Sequence, residues 1–154
     1  MNCVLITWKP EKGRFSEKDF DQLKKTLRAN NGSVEDTWPI RAKDMEAGIP
    51  LALFRQGRKT GLIGFGTVLD GQPTEDLGAT RRYKVVFRNL RDSIDRPFFD
   101  KKLLIKAGIP NSILNTESSG NGKLPDSVVK ILDALCQEHY SVTLNEACSR
   151  YCMR

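Results

Sequence analysis

Residues 50–69, PLALFRQGRKTGLIGFGTVL, read as two β-strands joined by a tight turn. The first runs over 50–56. Gln56-Gly57-Arg58-Lys59 forms the hairpin turn, with basic side chains at its tip. The second runs over 60–69 and carries Gly61, Gly64 and Gly66. Glycine inside a strand marks a bend, a bulge, or the close approach of another backbone or a ligand. Sheet curvature and ligand approach are both open readings here.

Working toward the N-terminus, residues 33–40 read as a strand that carries Trp38, and a short helical turn is expected near 42–47, closed by Gly48. Ser16 opens a helix with Glu17 and Asp19 in its first turn. Phe20, Leu23 and Leu27 recur at helical spacing as its buried stripe. Asn30-Asn31-Gly32 ends it, since these residues tolerate left-handed geometry. Residues 2–8 are β-branched and loosely alternating, a first strand carrying Trp8.

Toward the C-terminus, 70–80 is a polar loop and 82–89, RYKVVFRN, alternates as a strand. Asp95-Arg96-Pro97 breaks it. Asp100 caps a short helix through Lys106, stopped by Gly108 and Pro110. After a loop over 115–124, Pro125 suits the first turn of a helix to about residue 139. Thr143 and Glu146 form a capping box for a last helix over 144–152. The order β-α-β-β-β-β-α-α predicts an α+β fold, a small curled sheet or open β-barrel flanked by helices.

The chain has 154 residues, enough for one domain with a proper core, and a formal charge of +6. That excess favours an anionic partner such as DNA or RNA. No stretch approaches the roughly 20 apolar residues of a membrane span, so no membrane is expected. MNCVLITWKP has no basic leader or small-residue cleavage site and reads as a strand rather than a signal peptide. Without a secretion signal, Cys3, Cys136, Cys148 and Cys152 are expected as reduced thiols in a cytoplasmic protein.

Trp8 and Trp38 both lie near strand ends with Lys or Arg close by. An indole face gives contact area and a π surface at little entropic cost, which suits stacking on a nucleic acid base. The alternative is that both are ordinary core residues.

The ordered set of ITWKP, a helix, a second Trp-bearing strand, FRQGRKTGLIGFGTV and the SSG…LP segment (Ser118 to Pro125) resembles the EVE-type domains of the PUA-like superfamily. It is most similar to those fused to HNH endonucleases in modification-dependent restriction enzymes. The resemblance covers 1–139, leaving 140–154 as a C-terminal helical extension. It implies a PUA-like barrel with a pocket for a flipped 5-methylcytosine or 5-hydroxymethylcytosine. Base flipping costs a few kcal/mol, which stacking and edge hydrogen bonds must offset. By this resemblance Trp8 or Trp38 stacks on the base, Gly64 and Gly66 let it approach the backbone, and Ser118 and Ser119 hydrogen-bond at the pocket or a phosphate. Lys9, Arg41, Arg55, Arg58 and Lys59 are the candidate phosphate contacts.

The implied function is a reader of modified DNA, acting alone, with a separate effector or nuclease chain, or as a fragment of a longer protein. An HNH centre needs at least two histidines and this chain has only His139, so it is not expected to be an enzyme of that kind. An RNA-binding PUA-like module and a protein-interaction domain using the last two helices are the alternatives. Cys136, His139, Cys148 and Cys152 offer zinc-type donors, but their spacing departs from common zinc patterns and cysteine packs well between helices. In the alternative of an enzyme acting on nucleic acid, the loop acids Asp70, Glu75 and Asp76 could hold a metal. No metal or other cofactor is expected.

Overall fold

A computed structural model describes residues 2–10, 15–41, 44–57, 60–77, 80–92, 95–115 and 122–153. The hairpin at its centre is β3 (Pro50–Arg55) and β4 (Gly61–Val68). Around it lie β1 (Val4–Trp8), β2 (Val34–Pro39), β5 (Glu75–Leu77), β6 (Thr80–Leu90) and β7 (Phe99–Asp100). The helices are α1 (Glu17–Ala29), α2 (Lys101–Lys106), α3 (Asn111–Leu114), α4 (Asp126–Tyr140) and α5 (Leu144–Ser149). The strands form one mixed, strongly curled sheet flanked by helices, the expected α+β class.

The sheet path runs β1-β3-β4-β6-β2, with β5 on β6 and β7 on β4. Among the described residues only β1 and β3 pair in parallel; the other pairs are antiparallel. Alternation along the strands divides the apolar side chains into two cores. Cys3, Leu5, Ala52, Phe54 and Phe65 face α2, α4 and α5, with Leu104, Leu132 and Cys148 among their neighbours. Val4, Ile6, Trp8, Leu51, Leu53 and Phe87 face α1 through Phe20 and Leu27. Both faces are covered, so β1 and β3 are buried along their whole length rather than at alternate positions.

The curl has a local cause. Register shifts between Leu53 and Phe54 of β3, where β4 carries an extra residue, and between Phe65 and Gly66 of β4, where β6 does. Such bulges bend a strand and increase its twist. Gly64 and Gly66 belong to this device. A Cβ on Gly66 would lie 2.0 Å from the Val86 carbonyl oxygen and 2.9 Å from Phe87 Cα. One on Gly64 would meet Leu90 Cδ2 at 2.9 Å. The expectation that these two glycines admit a base is therefore corrected: protein backbone and side chains occupy the space they open.

Two further expectations change. Residues 44–47 are not helical; Asp44 and Gly48 take positive φ values of 59° and 90° instead. Part of the expected loop 70–80 is the strand β5, which forms by pairing Glu75–Leu77 back onto β6. The segment after residue 140 packs into the core. Leu144, Ala147 and Cys148 are fully buried in the core on that face. Asn89, itself fully buried on β6, holds the tail. Its Nδ2 donates to the carbonyls of Ala147 and Arg150, both at 2.6 Å. Its Oδ1 accepts from the amides of Cys152 at 3.1 Å and Met153 at 2.9 Å. No helix among the described residues is long and apolar enough to cross a membrane.

Candidate functional site

Trp8 ends β1 and Trp38 lies near the end of β2, at opposite edges of the sheet path. The curl brings both to one side chain. The Phe15 ring lies 5.2 Å from the Trp8 ring at 75° and 5.0 Å from the Trp38 ring at 61°. Phe20 stacks on Trp8 at 5.3 Å, and Phe87 meets Trp38 edge-on at 6.2 Å. These five rings bridge the gap between the two sheet edges. The indoles are 3% and 5% exposed, so the free protein holds them in a packed cluster rather than an open cup.

Local sequence explains why Phe15 sits there. Ser16 is the N-cap of α1 and Asp19 its N3 residue, and the two close a capping box. The Ser16 amide donates to Asp19 Oδ2 at 2.7 Å, and the Asp19 amide to Ser16 Oγ at 3.2 Å. Phe15 and Phe20 then occupy the two positions of a hydrophobic staple, which fixes the angle at which the chain enters a helix. Here the staple closes around Trp8. The indole N–H of Trp8 adds a hydrogen bond to the Phe15 carbonyl at 2.8 Å. The capping bonds hold the Asp19 carboxyl below its ordinary range. Phe15 escaped the reading of single residues, although its place just before Ser16-x-x-Asp19 was a usable signal.

The second indole rests on a carboxylate. Trp38 Nε1 donates to Asp36 Oδ2 at 3.0 Å. Burial raises the Asp36 pKa, and the Thr37 amide, the Trp38 indole and nearby Arg82 only partly oppose it. A folded-state pKa above the unfolded value costs stability once the group ionises, so the cost appears as pH rises through the folded pKa. Asp36→Asn keeps an acceptor for Trp38 without the charge. It is expected to unfold at equal or higher urea than wild type at pH 7, with the difference shrinking toward pH 4. A variant less stable than wild type at pH 7 and equal to it at pH 4 would show that the charged form is the favoured one.

Arg55 is the charged member of the cluster. It is the register partner of Trp8 in the parallel pair, so both project from the same face of the sheet. Its guanidinium carbon lies 5.9 Å from the centre of the Trp8 ring. Nη2 donates to Glu17 Oε1 at 2.7 Å; Arg55 is 4% exposed and Glu17 55%. That depth does not fit the phosphate contact expected of Arg55, since a backbone phosphate of an extended strand or duplex meets surface cations. Lys9 follows β1 and is half-buried, and Arg41 follows β2 and is exposed. Arg58, Lys59, Ser118 and Ser119 lie outside the described residues.

A cleft of about 270 Å³ opens elsewhere, between α1, the end of β6 and the C-terminal tail. Lys24, Arg28 and Arg91 line it with Asp92. Arg28 pairs with the Asp92 carboxylate, Lys24 donates to the Asp92 carbonyl, and Arg91 lies over the Phe98 ring at 5.4 Å. Its cations are thus engaged within the chain.

Cys3, Cys136 and Cys148 are buried, and burial pushes the thiols of Cys3 and Cys136 up to about 12. Thiols held that firmly protonated are neither nucleophiles nor ready ligands. His139 is exposed and meets the Phe99 ring at 5.8 Å. No group of His, Cys, Asp and Glu among the described residues is arranged to hold a metal ion. No family model, curated protein or solved structure matches this chain.

Proposed function

We propose that this chain is a nucleic-acid-binding reader module that seats a flipped, modified cytosine of DNA at the aromatic cluster between β1 and β2. The observation that carries this reading is the meeting of Trp8 and Trp38, from opposite sheet edges, on the one ring of Phe15. The mouth of a β-barrel is a common place for a ligand, and a strongly curled sheet offers a similar concavity. Two indoles there supply the stacking that offsets the cost of base extrusion. The net charge of +6 and the similarity of the ordered motifs to EVE-type domains support the same reading. The chain acts as the binding half of a response.

The cluster is closed in the free protein, so a base enters only as Phe15 leaves the space between the indoles. In this reading exposed Arg41 and half-buried Lys9, just beyond the two strand ends, meet flanking phosphates.

The test is fluorescence anisotropy with short duplexes carrying cytosine, 5-methylcytosine or 5-hydroxymethylcytosine at one site, at fixed low salt. One modified duplex is expected to bind best. Trp38→Phe should reduce that preference, because a smaller ring stacks less, while keeping the fold. Arg41→Ala should weaken all three duplexes alike and lower the salt slope by about one. Equal binding to all three duplexes sinks the reading, and tighter binding to single-stranded RNA would transfer it to RNA.

A further inference from the structure

We propose that Arg55, together with Glu17, reads the Watson–Crick edge of the cytosine that takes the place of Phe15. The inference rests on the base-reading function above and gives Arg55 a role other than phosphate contact.

The argument starts from an imbalance. Arg55 is 4% exposed, yet its Nε and Nη1 are buried and have no hydrogen-bond partner among the described residues. Buried polar groups in native proteins nearly always have partners. A buried charge with unmet donors is costly, and an apolar side chain of similar volume would pack there without that cost. The stability of the closed cluster therefore does not account for an arginine. The indole N–H groups have no such spare capacity, since Trp8 donates to the Phe15 carbonyl and Trp38 to Asp36. Arg55 brings unused donors to the face of the sheet where Trp8 stands.

The chemistry of those donors narrows the ligand. Arg55 offers N–H groups and no acceptor; Glu17, hydrogen-bonded to it at 2.7 Å, is a carboxylate and offers acceptors only. A donor beside an acceptor complements an edge with acceptors beside a donor. Cytosine presents N3 and O2 as acceptors and the N4 amino group as donor. Carboxylates accept from that amino group in other recognition sites. Substituents on C5 lie away from this edge, so a methyl or hydroxymethyl group there leaves the pairing intact. Glu17 is half exposed and on the first turn of α1, two residues from Phe15, so withdrawal of Phe15 opens Trp8, Arg55 and Glu17 together.

The test combines spectra of the intact wild-type chain with one substitution. The Arg55 Nε–H and the Trp8 Nε1–H each give a resolvable proton–nitrogen signal. The probes are 5-methyl-2′-deoxycytidine, inorganic phosphate and the duplex carrying 5-methylcytosine. The nucleoside and the duplex are expected to shift both signals together, and phosphate to leave them in place. Arg55→Met is expected to unfold at the same or higher urea than wild type and to lose at least about fivefold in affinity for the modified duplex. If this variant does not fold, Arg55→Lys, which keeps the charge but lacks the Nε–H and the planar fork, takes its place.

Affinity for the modified duplex that is unchanged in the variant, or a Trp8 signal that moves while Arg55 does not, overturns the role of Arg55 and leaves the reader intact. Equal wild-type binding to all duplexes, with the nucleoside still shifting Arg55, overturns the DNA reader and keeps the edge contact. Movement of Arg55 with phosphate alone makes it an anion site and overturns the edge reading.

Discussion

Asn89→Leu is expected to lower the unfolding free energy by about 3–5 kcal/mol, a large part of what a domain of this size has. Asn89 is fully buried and its side chain makes four hydrogen bonds, to Ala147, Arg150, Cys152 and Met153. Leucine fills a similar volume and makes none of them. Each bond alone is worth about 1 kcal/mol net, but the backbone groups left behind are expensive wherever water cannot replace the side chain. Asn89→Asp sharpens the test. A carboxylate still accepts from Cys152 and Met153 but turns lone pairs toward the two carbonyls that Asn89 now serves. Its folded-state pKa should rise, so the damage should be greatest near neutral pH and ease as the pH falls through that value. Urea unfolding followed by circular dichroism reads both. A loss under about 1 kcal/mol for Asn89→Leu would mean that the tail needs no such tether.

The second large effect is expected at a single methyl group. Gly66→Ala places a Cβ 2.0 Å from the Val86 carbonyl oxygen and 2.9 Å from two further backbone atoms of β6. Backbone within a paired sheet cannot step aside, so β4 and β6 must separate at the bulge. A loss of about 3 kcal/mol or more, or failure to fold, is expected. Gly64→Ala, two residues earlier on the same strand, meets a movable methyl of Leu90 first and should cost roughly 1 kcal/mol. Equal, small losses at both positions would show that the bulge tolerates a side chain and that the curl has another cause. The contrast matters for function because the same bulges bring Trp8 and Trp38 together.

What could be read from the sequence follows from where the determining interactions lie. The helix α1 was legible because its cap, its Phe20-Leu23-Leu27 stripe and its Asn-Asn-Gly end are all local. The hairpin of β3 and β4 was legible for the same reason, and the capping box of Thr143 and Glu146 marked α5. The strand β5 was not, since Glu75–Leu77 has no strand pattern and exists only by pairing with β6. At the candidate site, the two tryptophans could be named but not their common neighbour. That neighbour, Phe15, depends on a sheet curl set by register shifts far from it in sequence. For Gly64 and Gly66 the sequence allows a curl or an approach, and only the position of β6 decides between them. The depth of Arg55 was equally hidden, because an arginine at a strand end before a basic turn looks like a surface residue until the parallel pairing with β1 is known. Asn89 in the run RYKVVFRNL was the one polar residue whose service to the tail a sequence pattern did not announce.

The tether at Asn89 also has a consequence for synthesis. A growing chain completes β6 before any of the four groups that Asn89 binds has been made, since they lie at residues 147 to 153. At roughly 5–20 residues per second, translation takes about 3–13 seconds to go from Asn89 to Met153. During that interval the sheet has one face without α4 and α5, and the apolar side chains of that face are open to solvent or to a chaperone. The chain is thus committed to finish folding late, when its last residues arrive, rather than progressively as its strands appear.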